Sequence, residues 1–157
     1  MASPWKPRVD WALQQIEAHS RITQGVPEDE LAAFQRHQGL QLPDAYLHFL
    51  RAAGMNPGEF LQGSDLRFEQ LERLQSGAEA LLDDGAGPTL PGRCFVFCGH
   101  QGYKFLFFRL DDGPDPQIHY YLQGEGKFKT VTPTFSDWLV QSVHEEFPDI
   151  PAAPCEG

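Results

Sequence analysis

The stretch Gly39-Leu40-Gln41-Leu42-Pro43-Asp44-Ala45-Tyr46-Leu47-His48-Phe49-Leu50 decides the fold. Leu42 precedes a proline, which disfavours the α region for it. Pro43 has its φ preset for a first helical position and lacks an N–H that would be orphaned there. Asp44 sets a carboxylate beside the positive end of the helix dipole. Tyr46, Leu47, Leu50 and Ala53 recur at i, i+1, i+4 and i+7 and form one apolar stripe. The spacing predicts a short helix that starts at Pro43, buries one side and ends near Gly54. A missing Cβ suits Gly54 to a left-handed position just past that helix.

Upstream, Pro27 is predicted at another first helical position, with Glu28, Asp29 and Glu30 in the first turn and Leu31 and Phe34 on the apolar face. A solvated helix start accounts for that acidic triplet. Gly39 stops the helix. Val9, Leu13 and Ile16 predict an earlier helix over about residues 8–20. Residues 1–7 hold two prolines and read as a loose arm.

Downstream, Phe68, Leu71, Leu74, Ala78 and Leu81 repeat at three and four and predict a further helix. Gly77 weakens it by about 1 kcal/mol relative to alanine. Asp83-Asp84-Gly85-Ala86-Gly87-Pro88 reads as a break and Pro91-Gly92 as a turn. From Arg93 the pattern changes to short apolar and β-branched runs: Cys94–Cys98, Tyr103–Leu110, Ile118–Leu122 and Phe128–Thr132. The connections between them are short and rich in glycine and aspartate, which predicts an antiparallel meander. Tyr103–Leu110 is apolar on both faces over its middle and reads as a central strand with layers on both sides. Thr134 with Asp137 three residues on predicts a capped final helix with Phe135, Trp138, Leu139 and Val143 on its stripe. Residues 147–157 contain three prolines and read as a frayed tail.

Helices followed by strands indicate an α+β fold, with helices covering one face of a twisted, mainly antiparallel sheet of about four to six strands. The 157 residues suit one domain, over about residues 8–146. Tyr46, Leu47, Leu50, Phe105, Phe107, Trp138 and Leu139 are expected to share its core.

The order of these motifs resembles the SUKH superfamily, which contains bacterial immunity proteins of polymorphic toxin systems and fungal regulators of cell-wall synthesis. The resemblance rests on a polar helix ending in glycine, then Leu42-Pro43 with Tyr46, Phe49 and Leu50. Gly25-Val26-Pro27-Glu28-Asp29-Glu30-Leu31 upstream and Thr134-Phe135-Ser136-Asp137-Trp138-Leu139 downstream extend it over roughly residues 25–143. Family members usually carry Asn-Gly-Gly after the central helix, where this chain has Gly54-Met55-Asn56-Pro57-Gly58. The resemblance implies helices packed on a sheet and a non-enzymatic protein-binding role. An immunity protein of this kind would neutralise an intracellular toxin domain of nuclease or deaminase type; the other branch implies a regulatory scaffold.

Charge agrees with a protein partner. The chain carries −10 net, with 22 acidic and 12 basic residues. Such a surface repels phosphate backbones, which argues against nucleic acid, and it suits fast capture of a basic protein. Asp83, Asp84, Asp111, Asp112, Asp115 and Glu125 fall in predicted connections and are the candidate partner-binding residues. Each also has a bland reading as a solvated turn residue. Monomer or weak homodimer is expected.

No catalytic residues, metal or cofactor are predicted. Cys94 and Cys98 with His100 suggest zinc, but four residues of strand span about 13 Å, while thiolates sharing one ion each lie about 2.3 Å from it. They read instead as core thiols. A hydrolase or ligand-binding site around His100 and Tyr103 is the remaining alternative. Three cysteines in no stapling pattern, and no apolar run long enough for a membrane, point to a cytoplasmic setting.

Overall fold

In the computed structural model, residues 3–20, 22–61, 63–84, 93–151 and 153 are described. Helices α1 (Lys6–His19), α2 (Glu28–Gln38) and α3 (Asp44–Ala53) come first. A 3-10 turn (Phe68–Gln70) leads into α4 (Leu71–Asp84). Strands β1 (Cys94–His100), β2 (Lys104–Arg109), β3 (Ile118–Leu122) and β4 (Lys129–Thr132) follow, then α5 (Phe135–Glu146). The strands form one antiparallel sheet in the order β1-β2-β3-β4, the expected meander in an α+β fold.

Both proline-led helices begin one residue later than expected. Pro43 (φ −61°, ψ 147°) and Pro27 (φ −60°, ψ 148°) are extended caps. The ring fixes φ but leaves ψ free. Their carbonyls still accept the first helical bonds, from Leu47 at 2.9 Å and Leu31 at 3.1 Å. Gly39 ends α2 in the left-handed region (φ 66°). Gly54 does not: its φ is −67°. The reason for glycine there is contact, since a Cβ would lie 2.8 Å from the Leu50 carbonyl oxygen and 2.8 Å from a Val26 methyl. At α5, Thr134 Oγ1 accepts the Asp137 N–H at 3.0 Å, the predicted cap.

The sheet is covered on both faces, not one. Residues paired across an antiparallel ladder share a face. Phe95 pairs with Phe108 and Cys98 with Leu106 on the first face; Val96 pairs with Phe107 and Gly99 with Phe105 on the second. A β-bulge between Val96 and Cys98 inserts Phe97. Its ring reaches Phe108 (5.3 Å) and Trp138 (4.9 Å), so Phe97 and Cys98 both point at the first face.

Helices α3 and α5 pack there, with the Tyr46 ring 5.2 Å from Phe108 and 5.6 Å from Phe135. Helix α1 lies against α3 and α5. Helix α4 takes the second face, where a Leu74 methyl sits 2.6 Å from the position a Gly99 Cβ would occupy. Phe105 and Phe107 therefore face away from Tyr46, and Phe108 is the β2 residue that meets it. All seven expected core residues are buried within one continuous apolar cluster, Leu50 at 0 % and Trp138 at 6 % exposure.

The outer edge of β1 is closed. The Gln75 side chain donates to Val96 O (2.6 Å) and accepts from Val96 N (2.9 Å) as another strand would. Asp65 and Gly99 exchange backbone bonds of 2.7 and 2.8 Å farther along.

The N-terminal arm is shorter than expected. Helix α1 begins at Lys6, and Trp5 is buried edge-on against His48 (5.5 Å). In the tail, Phe147 stacks on His19 at 4.5 Å. Apolar contact fixes what proline content alone made look free. The Gly85–Gly92 break and Cys155 lie outside the described residues.

Candidate functional site

A meander sends alternate connections to opposite ends of the sheet, and this divides the candidate acidic residues. Asp111, Asp112 and Asp115 sit in the β2–β3 connection, at the end where α3 and α5 begin. Glu125 sits in the β3–β4 turn at the other end, beside the β1–β2 turn, where Gln123 N–H donates to Tyr103 O at 2.8 Å. Asp83 and Asp84 close α4 rather than lying in a loop, and their side chains are outside the described residues.

The described carboxylates of this set all have partners. Asp115 accepts from Ser136 N–H (2.8 Å) and Ser136 Oγ (2.6 Å) at the start of α5. Arg8 donates to the same Ser136 Oγ at 3.0 Å and pairs with Asp137. Pro114 O in the same connection accepts from Ala45 N–H (2.9 Å) at the start of α3. The β2–β3 connection thus satisfies backbone donors at two helix N-termini. Asp112 accepts from Gln117 N–H at 2.8 Å. Asp111 takes the Arg109 guanidinium at 3.2 Å, which holds its carboxyl below the ordinary range. Glu125 pairs with Lys129 at 3.2 Å.

The bulge sends Cys94 and Cys98 to opposite faces of β1. Burial pushes the Cys94 thiol up to about 11 and the Cys98 thiol up to about 12, so both are neutral thiols near pH 7. Among the described residues no group of three or more His, Cys, Asp or Glu could hold a metal ion. His48 Nε2 donates to Asp10 Oδ1 at 2.6 Å, and His119 lies half-buried and stacked on Phe107 (5.3 Å). Desolvation lowers the His119 pKa.

One cleft of about 390 Å³ opens between the β1–β2 turn and the C-terminal half of α5. Leu61, Leu106 and Trp138 supply apolar wall. His100 and Ser64 form a polar pair on one side, with Ser64 Oγ 3.2 Å from His100 Nδ1. Tyr103 stands edge-on to the His100 ring at 5.6 Å and is 39 % exposed. Ser142 and Glu145 line the α5 side.

Two non-glycine residues take left-handed backbone beside this cleft: Leu61 (φ 50°) in its wall and Gln101 (φ 52°) in the β1–β2 turn. Such conformations persist where the surrounding structure holds them, and they concentrate at sites. The Ser64–His100 pair has no carboxylate bonded to the imidazole among the described residues, so nothing there orients it as a general base. The arrangement offers hydrogen-bonding groups around an apolar slot.

Sequence reasoning reached His100 and Tyr103 and missed Ser64, Trp138, Ser142 and Glu145 as their neighbours. One signal was present. Glu145 and Glu146 put two carboxylates in the last turn of α5, against the negative end of its dipole.

Among the described residues no helix is long and apolar enough to cross a membrane. No individual curated protein matches the chain. A family does, over residues 25–141, a span holding α2 to α4, the whole sheet and the first half of α5. That span is well over half of the chain, and the chain belongs to the SMI1 / KNR4 family (SUKH-1).

Proposed function

We propose that this protein is a non-enzymatic binding module that acts as an immunity protein, neutralising an intracellular toxin domain with a basic surface. Membership of the SMI1 / KNR4 family (SUKH-1) is consistent with an immunity or a regulatory protein-binding role. The observation that carries the finer reading is the net charge of −10. Ion pairs such as Arg51–Glu28 and Lys129–Glu125 consume one acid for each base. They leave that excess on the surface. Toxins that cleave or modify nucleic acid need basic clefts, and an acidic partner is steered into such a cleft at high rate. Cytoplasmic action follows from the same reading.

The test is protection. The toxin domain encoded beside this chain's gene is produced with and without it, and growth and toxin activity are measured. Restored growth together with a one-to-one complex is expected. A neighbouring gene that encodes no toxin, or a toxin left fully active by a bound partner, overturns the immunity reading in favour of a regulatory scaffold.

A further inference from the structure

In the acidic connection that the sequence singled out, Asp115 is turned inward onto Ser136 while Asp111 and Asp112 stay exposed, and a second acidic surface lies at the other end of the sheet. The cleft there, between the β1–β2 turn and α5, has the features of a receptor for the partner's positive charge. Its α5 wall ends in Glu145 and Glu146, both exposed, where the helix itself presents its negative end. Carboxylates there oppose the dipole and destabilise the helix terminus, a local rule broken without a folding benefit.

A second observation is independent of those acids. Ser142 lines the cleft, is 7 % exposed, and its hydroxyl has no hydrogen-bond partner among the described residues. A helical serine so placed would ordinarily bond back to the carbonyl four residues earlier. The residue is nearly buried while its hydroxyl keeps access to the cleft, so that hydroxyl is available to a ligand.

The cleft's own cation does not fill this role. Lys104 lines the same space, but its ammonium lies over the Tyr120 ring at 5.1 Å. Gln141 Nε2 reaches Glu145 only at 3.5 Å, at the limit of a hydrogen bond. Tyr103 and Trp138 offer aromatic surface to a flat cation or to the methylenes below it.

We infer that this cleft receives an arginine side chain of the protein partner. The stem lies on Trp138 and Leu61, the guanidinium stacks on Tyr103 and donates to the Glu145 carboxylate and the Ser142 hydroxyl. Arginine has the donor fork to serve a carboxylate and a hydroxyl together, and it is enriched at the centres of protein interfaces. This inference rests on the basic-partner reading above and assigns it a place.

The test is a titration of the full chain, followed by backbone-amide NMR, with the blocked tripeptide acetyl-Gly-Arg-Gly-amide. The citrulline tripeptide, of equal shape and no charge, is the control. The expected result is saturable shifts at Ser64, Tyr103, Ser142 and Glu145 with a dissociation constant on the order of 1–10 mM, and binding weaker by about tenfold for citrulline. The double variant Glu145→Gln, Glu146→Gln should weaken the arginine probe by a similar factor at an equal or slightly raised melting temperature, since it relieves the charge at the negative end of the helix. Equal shifts from both probes, shifts centred on Asp111–Asp115, or no saturation would overturn the inference. Toxin protection is measured separately. If the toxin is neutralised but the cleft variant matches wild type, the cleft is refuted and the immunity reading stands. If nothing is neutralised, the immunity reading itself falls.

Discussion

Asp115→Ala removes a carboxylate that the fold uses at the start of α5. Its two oxygens accept from the Ser136 backbone N–H at 2.8 Å and from Ser136 Oγ at 2.6 Å. Ser136 is fully buried, so water cannot replace the lost acceptor. A hydrogen bond to a charged group contributes about 1.5–3 kcal/mol, and a buried donor left alone costs about 1–3 kcal/mol. The two bonds share one residue and do not simply add. Thr134 Oγ1 remains 3.1 Å from Ser136 Oγ, and Arg8 still donates to that oxygen, which limits the loss. The net expectation is about 2–4 kcal/mol, weighing the charged bonds against those remaining partners. For a chain of this size that is a fall of about 5–15 °C in melting temperature. Urea unfolding followed by circular dichroism reads it as a lower midpoint at constant slope. Asp115→Asn should fall between the variant and wild type, because one amide oxygen can still accept. Asp111→Ala is the control: it sits in the same connection with the same charge, but its exposed pair with Arg109 should leave the midpoint unmoved. If Asp115→Ala behaves like Asp111→Ala, the carboxylate does not hold α5 and the reasoning fails.

Leu50→Ala should cost about 2–5 kcal/mol in the same assay, because the side chain is wholly buried between α3 and its neighbours; a loss under 1 kcal/mol would contradict that packing. Tyr46→Phe should leave stability unchanged or raise it by up to about 1 kcal/mol, since the Tyr46 hydroxyl is buried without a partner among the described residues. A clear loss would reveal a bond to that hydroxyl. Burial raises the Cys98 thiol from 9.0 to about 12, so its contribution is complete below pH 9 and is lost as pH climbs towards 12. Urea midpoints between pH 7 and 11 should therefore fall above pH 9, and less steeply in Cys98→Ala; identical slopes would rule Cys98 out as a cause.

What the sequence disclosed depended on how local the cause was. The Leu-Pro start of α3, the Thr134 cap and the meander all arise from residues within a few positions of one another; the cap and the meander appear where their spacing predicts, and α3 starts one residue later. Gly54 shows the limit. Its position at the helix end was legible, but part of the reason for glycine is a methyl of Val26, which only the fold brings near. The β-bulge at Phe97 is likewise invisible in an apolar run, yet it decides that Cys98 faces α5 while Cys94 does not. Asp115 looked like any turn aspartate because its partner, Ser136, is 21 residues away. The cleft drew Ser64, His100 and Ser142 from three separate segments, so no spacing rule could assemble it.

The most direct test of the central claim, an acidic module that captures a basic protein, is the association rate with the toxin partner across ionic strength. The screening length falls from about 10 Å at 0.1 M to about 3 Å at 1 M salt. The account predicts an association rate that drops by at least about tenfold over that range while dissociation changes far less. An association rate indifferent to salt, or a partner that is itself acidic, would contradict it.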